Sequence, residues 1–226
     1  MSFEFSCFIS YPHGQKNVLV PFINDFVDGL EKEIYAQTSK TVFVDKFLEG
    51  GDWLDEKIGP NLCRSACMIL FYTPLYFATE HIYCARELKA MQDLEEKRLK
   101  LLGDKGKGLI IPIVLRGEKK FPNALRNKRL YYNFTAIEFN NPSDILQVKY
   151  SKEIKEIAQY IVDRCDQLDE IFHQLSHNCS AFRLPDDDEA RQFVETVLEK
   201  KIVDIPVSFV IRTEDEGNGG DKNSGQ

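Results

Sequence analysis

Residues 66–72 read ACMILFY, an unbroken run of seven apolar side chains. A run without alternation is typical of a strand that is buried on both faces, as the inner strands of a parallel sheet are. Other hydrophobic segments lie before and after it along the chain, and helical patterns separate them. This alternation indicates repeated βα units, so the sequence predicts an α/β domain built around a parallel sheet.

The predicted elements of this domain lie within residues 1–176. The strands are predicted at 4–10 (EFSCFIS), 41–45 (TVFVD), 66–72, 108–115 (GLIIPIVL) and 129–139 (RLYYNFTAIEF). The helices are predicted at 19–34, at about 54–63, at 82–102, and from Ser151 through Cys165 with apolar spacing as far as Leu175. Pro112 cannot donate a ladder hydrogen bond, so the fourth strand should lie near a sheet edge or contain a bulge.

The C-terminal part is predicted to be an appendage of one helix and one strand at 177–212, followed by a disordered tail at 213–226. The strand-like segment of the appendage is IPVSFVI, residues 205–211. Acids run from Asp186 to Glu189 before an amphipathic helix that ends in two lysines, at 200–201. Because acids at the start and bases at the end suit a helix dipole, we prefer this interpretation to a metal site.

Composition and charge exclude several classes of function. The net charge is −7, the pI is near 5.2 and no basic stripe with interleaved aromatic residues occurs, so nucleic acid is not expected as a direct ligand. The longest apolar runs have seven residues, too few to cross a bilayer, and the N-terminal sequence lacks the basic region of a signal peptide. We therefore expect a cytoplasmic protein that does not bind a membrane.

The six cysteines are expected to be reduced and buried. No secretion signal is present, and Cys7, Cys67 and Cys84 fall within predicted core elements. A zinc site is the alternative, because four-residue offsets are compatible with metal ligation. Its ligands would come from Cys63, Cys67, His173, His177 and Cys179. Because Cys67 opens a buried strand, no metal ion is expected.

Glu87 lies where a charged side chain is not expected. At about 100° per residue, it falls within the apolar arc of the helix at 82–102, whose other members are Tyr83, Cys84, Leu88, Met91 and Leu94. No Lys or Arg stands three or four residues away to pair with it along the helix. Such a carboxylate finds a cap or ion pair on another element, has a shifted pKa, or lines a polar cleft where a ligand supplies its partner. The residue pattern leaves these possibilities open.

Three segments, taken in order, resemble the TIR (Toll/interleukin-1 receptor) domain family. They are CFISY at 7–11, VFVD and FLEGGDW within 42–53, and YCARELKAM at 83–91. The resemblance covers about residues 3–168 and is specific because the order and spacing of all three segments match. It implies a stand-alone protein of the prokaryotic type, with a flavodoxin-like five-stranded parallel sheet and helices on both faces.

The resemblance also implies an active site. NAD-cleaving members of the family carry a glutamate at the position of Glu87, one turn after an aromatic residue that Tyr83 matches, so Glu87 is the candidate catalytic residue. Ligands of open parallel sheets bind beyond the carboxyl ends of the strands where the strand order reverses, which in this family is between the first and third strands. The residues expected to contact NAD⁺ are Phe8, Ser10, Tyr11, Asp45, Trp53, Thr73 and Tyr83.

The implied reaction is cleavage of the nicotinamide–ribose bond by an NAD⁺ glycohydrolase or cyclase. An oxocarbenium-like ribosyl centre develops, which the anion of Glu87 can stabilise without a metal or other cofactor. Linear and cyclic ADP-ribose products both remain possible. Many relatives have basic residues after the Ser-Tyr pair, where residues 12–14 here are PHG. Lys16, Lys46 or a neighbouring subunit would then have to balance the pyrophosphate charge.

Self-association is expected through the loop 46–53, because its glycines and exposed apolar side chains suit an assembly contact. The residues assigned to that contact are Phe47, Leu48, Gly50 and Gly51. The family further implies antiphage defence, by signalling or by NAD⁺ depletion, and an effector or sensor protein as a partner.

A non-enzymatic TIR interaction module, acting as a scaffold in immune signalling, is the alternative function. Glu87 would then have only a structural role. A receiver domain is a more distant possibility, because it requires clustered acids at the end of the first strand and SYPHGQ at 10–15 contains none. A flavin-binding domain is equally distant, since the chain lacks the phosphate loop that such a domain needs.

Overall fold

The computed structural model of the protein describes residues 3–13, 18–44, 54–103, 107–139, 150–171 and 178–199. The strands are β1 (Phe5–Ser10), β2 (Thr41–Val44), β3 (Ser65–Tyr72), β4 (Ile110–Val114) and β5 (Tyr132–Asn133). The helices are α1 (Leu19–Tyr35), α2 (Leu54–Arg64), α3 (Ile82–Leu102), α4 (Asn123–Arg126), α5 (Ser151–Ile171) and α6 (Asp187–Val197). The five strands form one parallel sheet in the order β2-β1-β3-β4-β5, which confirms the predicted α/β fold.

Helices cover both faces of the sheet. Ser10 is in register with Leu70 of the neighbouring strand, so Phe71 points to the opposite face from Ser10. The Phe71 ring packs edge-on against Phe22 and Phe26 of α1, with centroids 5.7 and 5.0 Å apart. On that face α1 packs against α5, whereas Ser10 points toward α3, which packs beside α2. The apolar core therefore lies on both sides of β1 and β3.

The fifth strand is much shorter than predicted. β5 has two residues, whereas the pattern predicted a strand from RLYYNFTAIEF at 129–139. Arg116 donates from Nη1 to the Thr135 carbonyl at 3.2 Å and from Nη2 to the Ile137 carbonyl at 2.5 Å. These backbone acceptors bond to a side chain instead of a strand partner, so the ladder stops. β4 is next to this edge strand, as Pro112 suggested, and its pairing with β5 begins one residue after the proline.

Residues 178–199 pack against α2 and α3 and bury Leu184 and Val197. α6 begins with a capping box, as the acidic run predicted for a helix start. The Asp186 carboxylate accepts from the Glu189 amide at 2.9 Å, and the Glu189 carboxylate accepts from the Asp186 amide at 3.1 Å. The first half of the predicted appendage is therefore a docked helix.

The prediction that all six cysteines are reduced is wrong for two of them. Cys63 and Cys179 form a disulfide with their Cα atoms 5.4 Å apart, although 116 positions separate them in the sequence. Docking of residues 178–199 onto the end of α2 brings the two together, which no local pattern could reveal. The other cysteines are buried free thiols, as expected: Cys7, Cys67, Cys84 and Cys165. Within the described ranges, no group of three or more His, Cys, Asp or Glu side chains is placed to hold a metal ion.

Several predictions concern residues outside the described ranges. These residues are Asp45, 46–53, His173, His177, Lys200, Lys201, 205–211 and 213–226. In the part of the chain that the structure describes, no helix is both long enough and apolar enough to cross a bilayer.

Candidate active site

The strand order reverses beside β1, because β2 lies on one side of it and β3, β4 and β5 lie on the other. Open α/β sheets bind their ligands at such a point, beyond the carboxyl ends of the strands. A cleft of about 330 Å³ lies there and is lined by residues that follow β1, β3 and β4. The lining includes Pro12, His13, Thr73, Pro74, His81 and Arg116.

Glu87 points from α3 toward the end of β1 and is only 5% exposed. Ser10 Oγ donates to Glu87 Oε2 at 2.6 Å. The Ser10 hydroxyl also lies 2.7 Å from the Tyr76 hydroxyl, which in turn lies 3.2 Å from the Cys84 carbonyl. Because the serine proton goes to the carboxylate, Ser10 Oγ can only accept from Tyr76, so Ser10 Oγ and the Cys84 carbonyl share the single phenol proton. Of the possibilities that the sequence left open, the structure therefore shows a hydrogen-bond partner on another element.

Tyr76 is the member of this hydrogen-bonded chain that sequence reasoning missed, because it lies in a loop without periodicity. A turn at the end of β3 positions it: the Tyr76 amide donates to the Thr73 carbonyl at 3.0 Å, and the Leu75 amide donates to Thr73 Oγ1 at 3.3 Å. Burial, with a smaller effect of the nearby Cys84 and Glu87, raises the pKa of Tyr76 well above its usual value. The phenol therefore stays protonated and remains a donor to Ser10.

The predicted contact residues of the first and third strands divide between the cleft and the core. Thr73 lines the cleft. Tyr11 is buried, and its ring lies 4.1 Å from the ring of His13, which also lines the cleft. Phe8 is fully buried and stacks on Phe43, with ring centroids 5.3 Å apart, so the structure places it in the core of the sheet.

Tyr83 lies beside the docked C-terminal segment, one turn before Glu87 on α3. The Arg86 guanidinium lies 4.7 Å from the centroid of the half-buried Tyr83 ring. Arg86 also donates from Nε to the Pro185 carbonyl at 2.6 Å and lies 3.6 Å from the Asp187 carboxylate. The other predicted site residues are outside the described ranges: Asp45, Trp53, Phe47, Leu48, Gly50 and Gly51.

The site thus combines a buried carboxylate with two hydroxyl groups that orient it. The cleft lined by Thr73 and Arg116 lies at the same end of the sheet. An oriented carboxylate can stabilise positive charge that develops on a ligand, or it can accept a proton from one. When the sequence is compared with protein-family models and with curated proteins, neither comparison gives a match.

Proposed function

We propose that the protein is a TIR-type NAD⁺ glycohydrolase or cyclase that cleaves the nicotinamide–ribose bond. The position of Glu87 supports this most. The carboxylate is buried beside the point where the strand order reverses, and a side chain from the end of β1 orients it. An acid in a ligand-binding region of this kind is a candidate for catalysis.

Glu87 stabilises the charge that develops when the bond to nicotinamide breaks. The electron pair of the bond leaves with nicotinamide, which departs as a neutral pyridine, and positive charge develops at the anomeric carbon and ring oxygen of the ribose. A carboxylate that is already fixed and screened from water stabilises that charge without reorganising. Attack by water then yields ADP-ribose and a proton, whereas attack by a nitrogen of the adenine yields a cyclic product.

Ser10 and Tyr76 act as positioning residues in this proposal. The short bond from Ser10 fixes one carboxylate oxygen of Glu87, and Tyr76 fixes the serine hydroxyl in turn. Pre-orientation of this kind lowers the reorganisation that the reacting state requires.

The alternative is a scaffold without enzymatic activity, and one observation favours it. Glu87 already has a buried hydrogen-bond donor in Ser10, as a purely structural carboxylate would. Incubation with NAD⁺ separates the two functions. The purified protein, at high concentration and with a crowding agent, should release nicotinamide together with a ribosyl product that chromatography identifies. If no nicotinamide appears at any protein concentration, the scaffold is the better interpretation.

Self-association belongs to the proposal, together with a role in antiphage defence and an effector or sensor protein as a partner. Activity per chain should rise with protein concentration. Replacing Leu48 by Asp and Gly51 by Arg should lower it without unfolding the protein, because the substitutions put charge into a contact that must be desolvated. An equal rate per chain for dilute monomer, confirmed by light scattering, would show that the site is complete within one subunit.

A further inference from the structure

We infer that a second pocket, which lies at the amino ends of β4 and β5, binds a small aromatic anion. Its volume is about 630 Å³, which is within the usual range of small-molecule sites in proteins. Lys107 lines it from the segment before β4, Lys128 from the segment before β5, and Tyr160 from α5. This amino-end pocket lies at the opposite end of the sheet from Ser10 and Glu87, so the inference goes beyond the proposed function and does not depend on it.

Basic side chains line the amino-end pocket, although the protein has a net charge of −7. Its described lining includes Lys107, Lys128 and Arg129 and no Asp or Glu. Arg129 is already paired, because its Nη1 donates to Glu95 at 2.7 Å and its Nη2 donates to the same carboxylate. The Lys107 and Lys128 side chains, by contrast, have no ion-pair or hydrogen-bond partner among the described residues. Two ammonium groups are therefore left to attract an anion.

The walls of the amino-end pocket are apolar and aromatic. Ile110 and Ile111 contribute to them from β4, and Ile157 contributes from α5. The ring of Tyr160 is held in place, because its hydroxyl donates to the Gly108 carbonyl at 2.7 Å. Isoleucine side chains beside a fixed aromatic ring suit a planar apolar group, which gains both apolar burial and ring contacts there. Apolar walls also strengthen the attraction between an anion and the ammonium groups, because they lower the local dielectric constant.

Tyr132 of β5 adds a hydrogen-bond donor. It lines the amino-end pocket and is half-buried, and its hydroxyl bonds to none of the described residues. Burial, with smaller effects of Glu156, Tyr160 and Glu153, raises the pKa of Tyr132, and neither glutamate lines the pocket. The phenol is therefore protonated at neutral pH, and an anionic oxygen of a ligand can accept from it.

These features together specify the class of ligand. An aromatic ring matches the isoleucine and tyrosine walls, and a carboxylate or similar anionic group matches the two ammonium groups and the Tyr132 hydroxyl. A neutral aromatic molecule would leave the ammonium groups without a counter-charge, whereas an aliphatic anion would leave the walls uncovered. A small aromatic anion satisfies both requirements.

Two probes with the same ring system test the inference. At neutral pH 2-naphthoate carries a negative charge, whereas 2-naphthamide is neutral, and calorimetry measures the affinity of each. The pocket variants are Lys107→Gln with Lys128→Gln, and Tyr132→Phe. The matched control is Lys32→Gln with Lys152→Gln, because both side chains are exposed and neither lines the pocket. Melting curves confirm that all proteins are folded.

We expect the wild-type protein to bind 2-naphthoate at least about tenfold more tightly than 2-naphthamide. The double lysine variant should lose at least about tenfold in affinity for 2-naphthoate, and Tyr132→Phe about threefold or more. The double control should stay within about twofold of the wild-type affinity. Equal affinities of the wild-type protein for the two probes, or an unchanged affinity for 2-naphthoate in either pocket variant, would overturn the inference.

Methyl NMR signals show where the probe binds. In the wild-type protein 2-naphthoate should shift the signals of Ile110, Ile111 and Ile157, which line the pocket. It should leave unchanged those of Ile34 on α1 and Ile58 on α2, which are buried and do not line it. Shifts centred on other residues, or the absence of binding at millimolar concentrations of 2-naphthoate, would overturn the inference.

Discussion

Two carboxylates on α3 are buried to nearly the same extent, Glu87 at 5% exposure and Glu95 at 6%, but they have different partners. Glu95 Oε1 accepts from the Leu109 and Ile110 amides at 2.5 and 3.2 Å, and both carboxylate oxygens accept from Arg129. Glu87 lies at the other end of the sheet and accepts from the Ser10 hydroxyl. The contrast shows that burial alone does not distinguish a structural acid from a candidate catalytic one.

The hydrogen bonds of Glu95 join α3 to two other segments of the fold. Charged hydrogen bonds from an arginine and two amides fix α3 to the start of β4 and to the segment before β5. A Cβ atom on Gly108 would lie 2.6 Å from Arg129 Nη1 and 2.8 Å from Glu95 Oε1, so any other residue there would displace the ends of these two side chains. At Glu87, by contrast, Ser10 donates from a neutral hydroxyl at the carboxyl end of β1.

The largest expected effect on stability comes from Glu95→Gln. This change leaves the Arg129 guanidinium buried without its charged partner, so it should lower the free energy of unfolding by about 3–5 kcal/mol. Urea denaturation measures the loss. An unchanged stability would show that the Glu95 contacts are not structural, and the contrast with Glu87 would fail.

Residues 178–199 pack against α3, the helix that carries Glu87 and Glu95, and should stabilise it. Cys179→Ser removes the disulfide to Cys63 and should lower the free energy of unfolding by about 2–4 kcal/mol. A dithiol reductant should destabilise the wild-type protein by a similar amount and leave the variant unchanged. If the reductant has the same effect on both proteins, the disulfide does not hold this segment.

Loss of the Tyr76 hydroxyl should affect the hydrogen bonds of Glu87 and leave those of Glu95 unchanged. Tyr76→Phe removes the donor to Ser10 and should cost about 1–2 kcal/mol of stability. In the proposed enzyme it should also lower kcat severalfold, because the carboxylate loses part of its orientation. A variant with normal kcat for NAD⁺ would show that Tyr76 supports packing only.

A smaller effect on stability is expected from Cys165 of α5, whose thiol is buried. Burial raises the pKa of the Cys165 thiol to about 12, so the folded protein keeps it neutral at a pH where the unfolded chain ionises it. This contribution to stability is complete below pH 9 and decreases as the pH rises toward 12. Between pH 9 and 10 the decrease should be about 1 kcal/mol. Urea denaturation should show a shallower pH dependence for Cys165→Ala, and equal slopes would contradict the assignment.

The fold was predictable because its signals are local. The apolar run of β3, the spacing of α1 and the pattern that placed Glu87 on the inner side of α3 all concern residues that are close in sequence. The same local reasoning made β5 too long, because it could not foresee that Arg116 would bind the backbone after Asn133.

The parts of the site that sequence reasoning missed depend on contacts between distant segments. Tyr76 meets Ser10 across 66 positions, and Arg129 meets Glu95 across 34. Glu95 illustrates the difficulty, because Arg98 stands three residues away and suggests a pair along the helix. In the structure Arg98 instead donates to backbone carbonyls at the end of α2 and the start of β3.

The most direct test compares NAD⁺ cleavage by the wild-type protein, Glu87→Gln and Glu95→Gln under conditions where all three are folded. Gln keeps the volume of Glu and removes its charge at both positions, so the two variants are matched. Glu87→Gln should keep a melting temperature near that of the wild-type protein and lose roughly 100-fold or more in rate. Glu95→Gln should melt earlier and cleave NAD⁺ at the wild-type rate per folded molecule. A folded Glu87→Gln protein that retains most of the wild-type rate would contradict the catalytic assignment.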